Sequence, residues 1–81
     1  MYYVYIIKSL KFPSKLYTGK SGDLKSRIID HNKGKCLYTT RFKPWEIIYY
    51  SVFKNKKKAE EFERYLKSRS GIAFRNKRLV W

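Results

Sequence analysis

Apolar residues cluster in three short dense runs and along two helical stripes of this 81-residue chain. Tyr2 to Lys8, "YYVYIIK", is aromatic and β-branched with apolar residues on both faces, the pattern of a buried strand. Phe12-Pro13-Ser14 punctuates a turn and Lys15 to Gly19 offers a second short strand, so the two predict a hairpin. Trp45 to Phe53, "WEIIYYSVF", is the longest strand and is apolar on both faces after Glu46, as expected at the centre of a covered sheet. Ser21 or Gly22 can open a helix with Asp23 in its first turn; it runs to about Asn32, and Gly34 is placed to end it. Residues 33–44 read as a loop rich in Lys, Thr and Arg and closed by Pro44. Asn55 is a good cap for the longest helix, Lys56 to about Arg69. Gly71 follows, and the basic tail "FRNKRLVW" holds one more helical turn or an extended end. The order β-β-α-β-α with a short C-terminal helix or tail predicts an α+β fold, a three-stranded antiparallel sheet flanked by helices, in one domain spanning 1–81.

Size limits what such a chain can build. A domain this small buries roughly 60–65% of the surface its unfolded chain exposes, so no second lobe forms and any site lies on the face of one small sheet. Cys36 is the one cysteine, which rules out an internal disulfide and suits a reducing cytoplasm. The apolar run Tyr2 to Ile7 is far short of a signal-peptide core or a membrane span, so a soluble cytoplasmic protein with no membrane partner is expected.

Charge narrows the partner. Twenty Lys and Arg against six Asp and Glu give a formal +14, which points to a polyanion, most simply nucleic acid. Solubility alone does not need such an imbalance. The basic residues are scattered among turns, with no long amphipathic helix to concentrate them at a membrane surface. Eight Tyr, five Phe and two Trp could stack on bases where exposed, though most tyrosines lie in strand-like runs.

The stretch "LYTGKSGDLKSR" contains Gly19-Lys20-Ser21, which looks like a phosphate-binding loop. The Walker pattern needs a glycine five residues before the Gly-Lys pair; Ser14 stands there, and Lys15 to Thr18 looks like strand. A nucleotide loop is excluded on spacing. What remains is a strand, a turn and a helix start carrying Lys20, Lys25 and Arg27.

At 100° per residue, Ala59, Phe62 and Leu66 share one apolar stripe of the second helix with Glu63 on its edge, while Glu60 and Glu61 face outward. Leu24, Ile28 and His31 share a face of the first helix, and Arg27 flanks it one turn below His31. Tyr5 and Tyr17 can point the same way across the hairpin. Two phenols, a guanidinium, an ammonium, an imidazole and a carboxylate would then surround one shallow cleft. Glu63 suits magnesium, a hard cation that often takes one protein carboxylate and completes its shell with water and substrate phosphate. His31 and Cys36 are too few for a zinc site. Cys36 among basic loop residues reads as incidental.

"YVY" at Tyr3 to Tyr5, "YTG" at Tyr17 to Gly19, "DLKSRIIDHN" at Asp23 to Asn32 and "AEEFERYLKS" at Ala59 to Ser68 together resemble the GIY-YIG nuclease domain. The closest resemblance is to small stand-alone bacterial members, and "YTGKSGDLKSR" is also similar to the nuclease half of the excision-repair endonuclease. Tyr3 replaces the first motif's glycine and Thr18 the second motif's usual isoleucine, and neither change removes a chemical group.

The resemblance implies a metal-dependent endonuclease acting on DNA, with 5′-phosphate and 3′-hydroxyl products and a role in repair or processing. It implies Mg²⁺, with Mn²⁺ as an alternative, on Glu63. Tyr5 or Tyr17 would take the proton of the attacking water while the other orients it. Arg27 would neutralise charge on phosphorus, Lys20 would support the tyrosine, and His31 matches a histidine found four residues after the arginine. Asn76 matches, with loose spacing, a downstream asparagine. Lys20, Lys25, Arg27, Lys35, Arg41, Lys67 and Asn76 are the candidate nucleic-acid contacts. The alternative is a nucleic-acid-binding module of the same fold with little or no catalysis. With no fused targeting module in the sequence, a protein partner could supply targeting.

Overall fold

The computed structural model describes Met1–Leu79; of the basic tail, Val80 and Trp81 lie outside the described residues. The chain forms strands β1 (Tyr2–Ser9), β2 (Leu16–Ser21) and β3 (Trp45–Phe53) and helices α1 (Leu24–Asn32), α2 (Lys56–Lys67) and α3 (Arg69–Phe74). A 3-10 turn at Thr39–Phe42 interrupts the loop before β3, and a π turn at Arg75–Leu79 follows α3. The sheet is antiparallel with order β2-β1-β3.

β1 is therefore the central strand, and its residues Val4 to Ile7 are all buried. Val4 and Ile6 face α2, where they pack with Ala59 and Leu66. Tyr5 and Ile7 face α1 and pack with Trp45, Tyr17, Leu24 and Ile28. Each fully buried aliphatic side chain contributes about 1.5–3 kcal/mol, so this strand anchors both halves of the core. β3 lies at the edge and not at the centre expected from its composition: Tyr50 and Val52 are about half exposed. Its apolar run reports helices packed over the sheet, and strand order is set instead by the β1–β2 hairpin and the return through α1. A bulge sharpens the difference. Ile6 pairs with Tyr49 but Ile7 with Ile47, so Ile48 has no opposite number and both Ile48 and Tyr49 turn toward α2. The alternation resets there, which brings Trp45 and Ile47 onto the α1 face.

Local chemistry fixes the helix ends. Asp23 is the cap of α1 rather than a first-turn residue: its Oδ1 accepts from the Ser26 amide at 3.1 Å. Gly34 follows the helix with φ +79°, the left-handed geometry that glycine adopts without strain. Asn55 caps α2 by accepting from the Lys58 amide at 3.0 Å. That helix stops two residues earlier than its pattern suggests, because Ser68 ends α2 through its backbone and starts α3 by accepting from the Gly71 amide at 3.1 Å. The tail's helical option is the one realised through Leu79.

Gly71 is buried inside α3, where a Cβ would overlap the backbone of Tyr65 and Leu66. Backbone cannot yield as a side-chain tip can. Gly71→Ala is expected to destabilise the protein by about 1–3 kcal/mol, measured as a lower urea midpoint at unchanged m-value.

Candidate active site

The hairpin register places Tyr5 opposite Gly19 and Ile7 opposite Tyr17, so both phenols project from the α1 face, one step apart. The Tyr5 ring passes directly over Gly19. A Cβ on Gly19 would stand 2.5 Å from the Tyr5 hydroxyl oxygen, 2.7 Å from its Cζ and 3.2 Å from Tyr17 Cε2. The third residue of "YTG" is thus the floor on which the first motif's tyrosine lies. Tyr5 is 1% exposed. Tyr17 is half-buried and opens on a cleft of about 280 Å³ shared with Tyr38, Lys67, Ile72 and Arg75.

A chain of polar groups runs inward from Tyr5. Its hydroxyl lies 2.9 Å from His31 Nε2, and His31 Nδ1 lies 2.7 Å from Thr39 Oγ1. The Thr39 hydroxyl donates to the Cys36 carbonyl at 3.4 Å, and the Trp45 indole donates to the Thr39 carbonyl at 2.9 Å. A carbonyl can only accept, which fixes the direction of the series. Thr39 Oγ1 receives the Nδ1 proton, Nε2 is left as an acceptor, and the Tyr5 hydroxyl donates to it. Asn32 locks the surroundings, accepting from the Trp45 amide at 2.6 Å and donating to the Trp45 carbonyl at 3.2 Å.

Burial, reinforced by the charge of Arg27, lowers the His31 pKa to about 4, so the ring is neutral at pH 7. Burial also raises the Tyr5 pKa to about 12, against the opposing pull of a hydrogen bond and charge from Arg27. Hydrogen bonding to Tyr5 in turn holds Arg27 cationic. Among the described residues Arg27 makes no ion pair with a carboxylate. A half-buried guanidinium turned toward a phenol, with no acid to neutralise it, is an anion site.

Glu63 comes to the same edge from α2. Its side chain is only 17% exposed and pairs with Lys67 at 3.1 Å, and the Lys67 ammonium stands 5.8 Å from the centre of the Tyr17 ring. Tyr17 in turn lies 5.2 Å, ring to ring, from His31. One contact series therefore links Arg27, Tyr5, His31, Tyr17, Lys67 and Glu63. No group of three or more His, Cys, Asp or Glu side chains gathers among the described residues. A lone carboxylate fits a hard, water-keeping cation that also takes a substrate phosphate, and does not fit zinc.

Other candidates stand apart. Lys20 projects from the α2 face, opposite to the tyrosines, and pairs with Glu60 at 3.5 Å. Lys25 is exposed on α1, Lys35 pairs with Asp30 at 3.7 Å, and Arg41 lies 5.9 Å from the Phe42 ring. Asn76 lines a separate cavity of about 770 Å³ with Lys8, Leu16 and Arg78, and its Oδ1 accepts from Arg75 Nε at 3.1 Å. Thr39 and Trp45 have no visible sequence signal. A single threonine in a polar loop belongs to no periodic pattern, although it is as buried as any residue in the core.

The chain falls in the class of small α+β nuclease-type catalytic domains. More narrowly, it belongs to the GIY-YIG family: the model of the GIY-YIG catalytic domain matches residues 1–77. Over 68 residues it is 40% identical to a UPF0213 protein of Clostridium perfringens (strain 13 / Type A), a match covering 83% of this chain and 71% of that protein. It is 38% identical over 68 residues to a UPF0213 protein of Streptococcus pyogenes serotype M3, covering 83% of this chain and 72% of the relative.

His31 is the sole histidine, so its imidazole signals can be followed without assignment ambiguity. Their titration midpoint should lie near pH 4, with Nδ1 carrying the proton at neutral pH, in a ¹H–¹⁵N long-range correlation experiment. A pKa depressed from 6.5 to about 4 means that the unfolded chain takes up the proton first. The stabilisation is complete above pH 6.5 and is lost as pH falls through about 4. For Gly19→Ala, the collision with Tyr5 should lower the urea midpoint, corresponding to about 1–3 kcal/mol, and raise the His31 titration midpoint as the relay opens.

Proposed function

We propose that this protein is a divalent-metal-dependent endonuclease that hydrolyses phosphodiester bonds in DNA and leaves 5′-phosphate and 3′-hydroxyl ends. The observation that carries this reading is the half-buried Arg27, free of any carboxylate partner among the described residues, beside Tyr5 in a site that Lys67 joins to both Tyr17 and Glu63.

The two tyrosines take different parts. Tyr5 donates a hydrogen bond to His31 and, with a pKa of about 12, remains a phenol at neutral pH. It orients the attacking water through an oxygen lone pair while His31, itself neutral, keeps the hydroxyl turned inward. Tyr17 is the side chain open to the cleft; as the phenolate it takes the proton of the attacking water and becomes the neutral phenol, while the hydroxide adds to phosphorus. The Lys67 ammonium, 5.8 Å from the ring centre, offsets the negative charge of that phenolate before the transfer. Arg27 binds a non-bridging oxygen and neutralises charge as the phosphorane forms; one positioned donor of this kind contributes about 3–4 kcal/mol at the transition state. Mg²⁺ or Mn²⁺, held by Glu63 with water and the scissile phosphate, supplies further positive charge when bound. Lys67 is exposed enough to swing away from Glu63 and make room. Lys20, on the opposite face, is assigned to the DNA backbone outside the reacting centre rather than to the tyrosine.

Cleavage of single-stranded, duplex and branched DNA with Mg²⁺ or Mn²⁺ tests the proposal. Glu63→Gln and Arg27→Ala should each lower kcat by about 10²–10³ with folding intact by circular dichroism. Tyr17→Phe should abolish cutting that Tyr5→Phe only weakens. Wild-type activity in Glu63→Gln would falsify the assignment, as would the absence of any metal-dependent cutting by the unaltered protein.

A further inference from the structure

An aromatic row leads away from the tyrosine cleft. The Tyr17 ring centre lies 5.8 Å from Tyr38, Tyr38 lies 6.1 Å from Phe42, and Phe42 lies 5.7 Å from Phe12. Cations accompany it: Lys67 stands 5.8 Å from the Tyr17 ring, Lys15 and Arg41 stand 5.4 and 5.9 Å from Phe42, and Lys11 stands 5.8 Å from Phe12. Phe42 packs against the core and serves as the foundation. Tyr38 and Phe12 do not need their positions for folding to the same degree: they are 56% and 43% exposed. Water is a poor environment for two such rings, and lysines and an arginine ranged beside them define the charge of whatever covers them.

We propose that this row is a track for unpaired nucleotides, so that the substrate carries a single-stranded segment next to the bond that is cut. Aromatic faces can stack only on bases that are not already stacked in a duplex. The ring spacing supports this choice. Successive nucleotides of one strand rise about 3.4 Å in B-form DNA, whereas the two exposed rings are separate stations, Tyr38 at 6.1 Å and Phe12 at 5.7 Å from the Phe42 ring they share. Bases seated on Tyr38 and Phe12, rings that each pack on Phe42, stack on protein instead of on each other, a geometry that a base-paired partner forbids. Phosphates between those bases meet Lys11, Lys15, Arg41 and Lys67. The row ends at Tyr17, which delivers the strand to the reacting centre. The inference deepens the nuclease reading and relies on it for the chemistry, but the binding it describes exists without cleavage.

The test is fluorescence anisotropy without divalent metal, using oligothymidylate, an abasic strand with the same number of phosphates, and a duplex. Oligothymidylate should bind on the order of tenfold more tightly than the abasic strand. Tyr38→Ala and Phe12→Ala should each weaken oligothymidylate binding several-fold while leaving abasic and duplex binding within about twofold. Both residues are exposed, so the variants fold; circular dichroism checks this. Phe12→Leu keeps apolar bulk without the ring and should behave like alanine. Equal affinity for the base-bearing and abasic strands overturns the proposal, as does full rescue by leucine. A protein that binds in this pattern but never cuts leaves the track standing and removes the nuclease assignment, so the two failures are separable.

Discussion

The hydroxyl of Tyr5 is the point on which the domain turns. It sits at the middle of the central strand, under α1, with Gly19 as its floor, His31 as its hydrogen-bond acceptor and Arg27 as its neighbouring cation. A buried phenol without partners costs stability. Here the partners are drawn from two other elements, so satisfying that group also fixes how β2 and α1 meet β1. The same arrangement makes the group chemically quiet, because burial raises its pKa and the neutral imidazole accepts its hydrogen bond. Packing and chemistry are therefore one constraint. The arginine is kept charged, half-covered and aimed at the sheet edge by the contact that also completes the core.

That constraint separates two phenols with similar sequence contexts. Tyr5 and Tyr17 project from the same face of adjacent strands. The central strand covers one and the edge strand leaves the other open to the cleft. Edge position is the whole difference, and it is the ground on which we propose proton transfer for one and orientation for the other. It also lets α2, packed on the opposite face, bring Glu63 and Lys67 around the margin to Tyr17.

Much of this was legible in the sequence. The hairpin, the capped helices and the shared face of Leu24, Ile28 and His31 follow from periodicity, because each reflects a repeat of side chains against one surface. Motif spacing singled out Tyr5, Tyr17, Arg27, His31 and Glu63, which lie in one contact series. Strand order was not legible, since β3 is as apolar as a central strand and its bulge at Ile48 hides the alternation that would betray an edge. Lys20 was misleading for a simple reason: neighbours in a strand point to opposite faces, and its one-residue offset from Gly19 carries it away from the tyrosines. Thr39 was invisible because a buried partner inside a polar loop leaves no repeat to detect.

The Asn32–Trp45–Thr39 clamp divides the segment between α1 and β3 into an inner wall and an outer rim. Thr39 and Trp45 are pinned beneath the reacting groups, whereas Leu37, Tyr38 and Arg41 project from the same short segment into solvent. Residues a single position apart thus answer to unrelated demands. Substitutions on the rim can retune what the domain grips while the buried neighbours keep the proton series in order. Such modularity lets a small domain acquire new preferences without rebuilding its buried network.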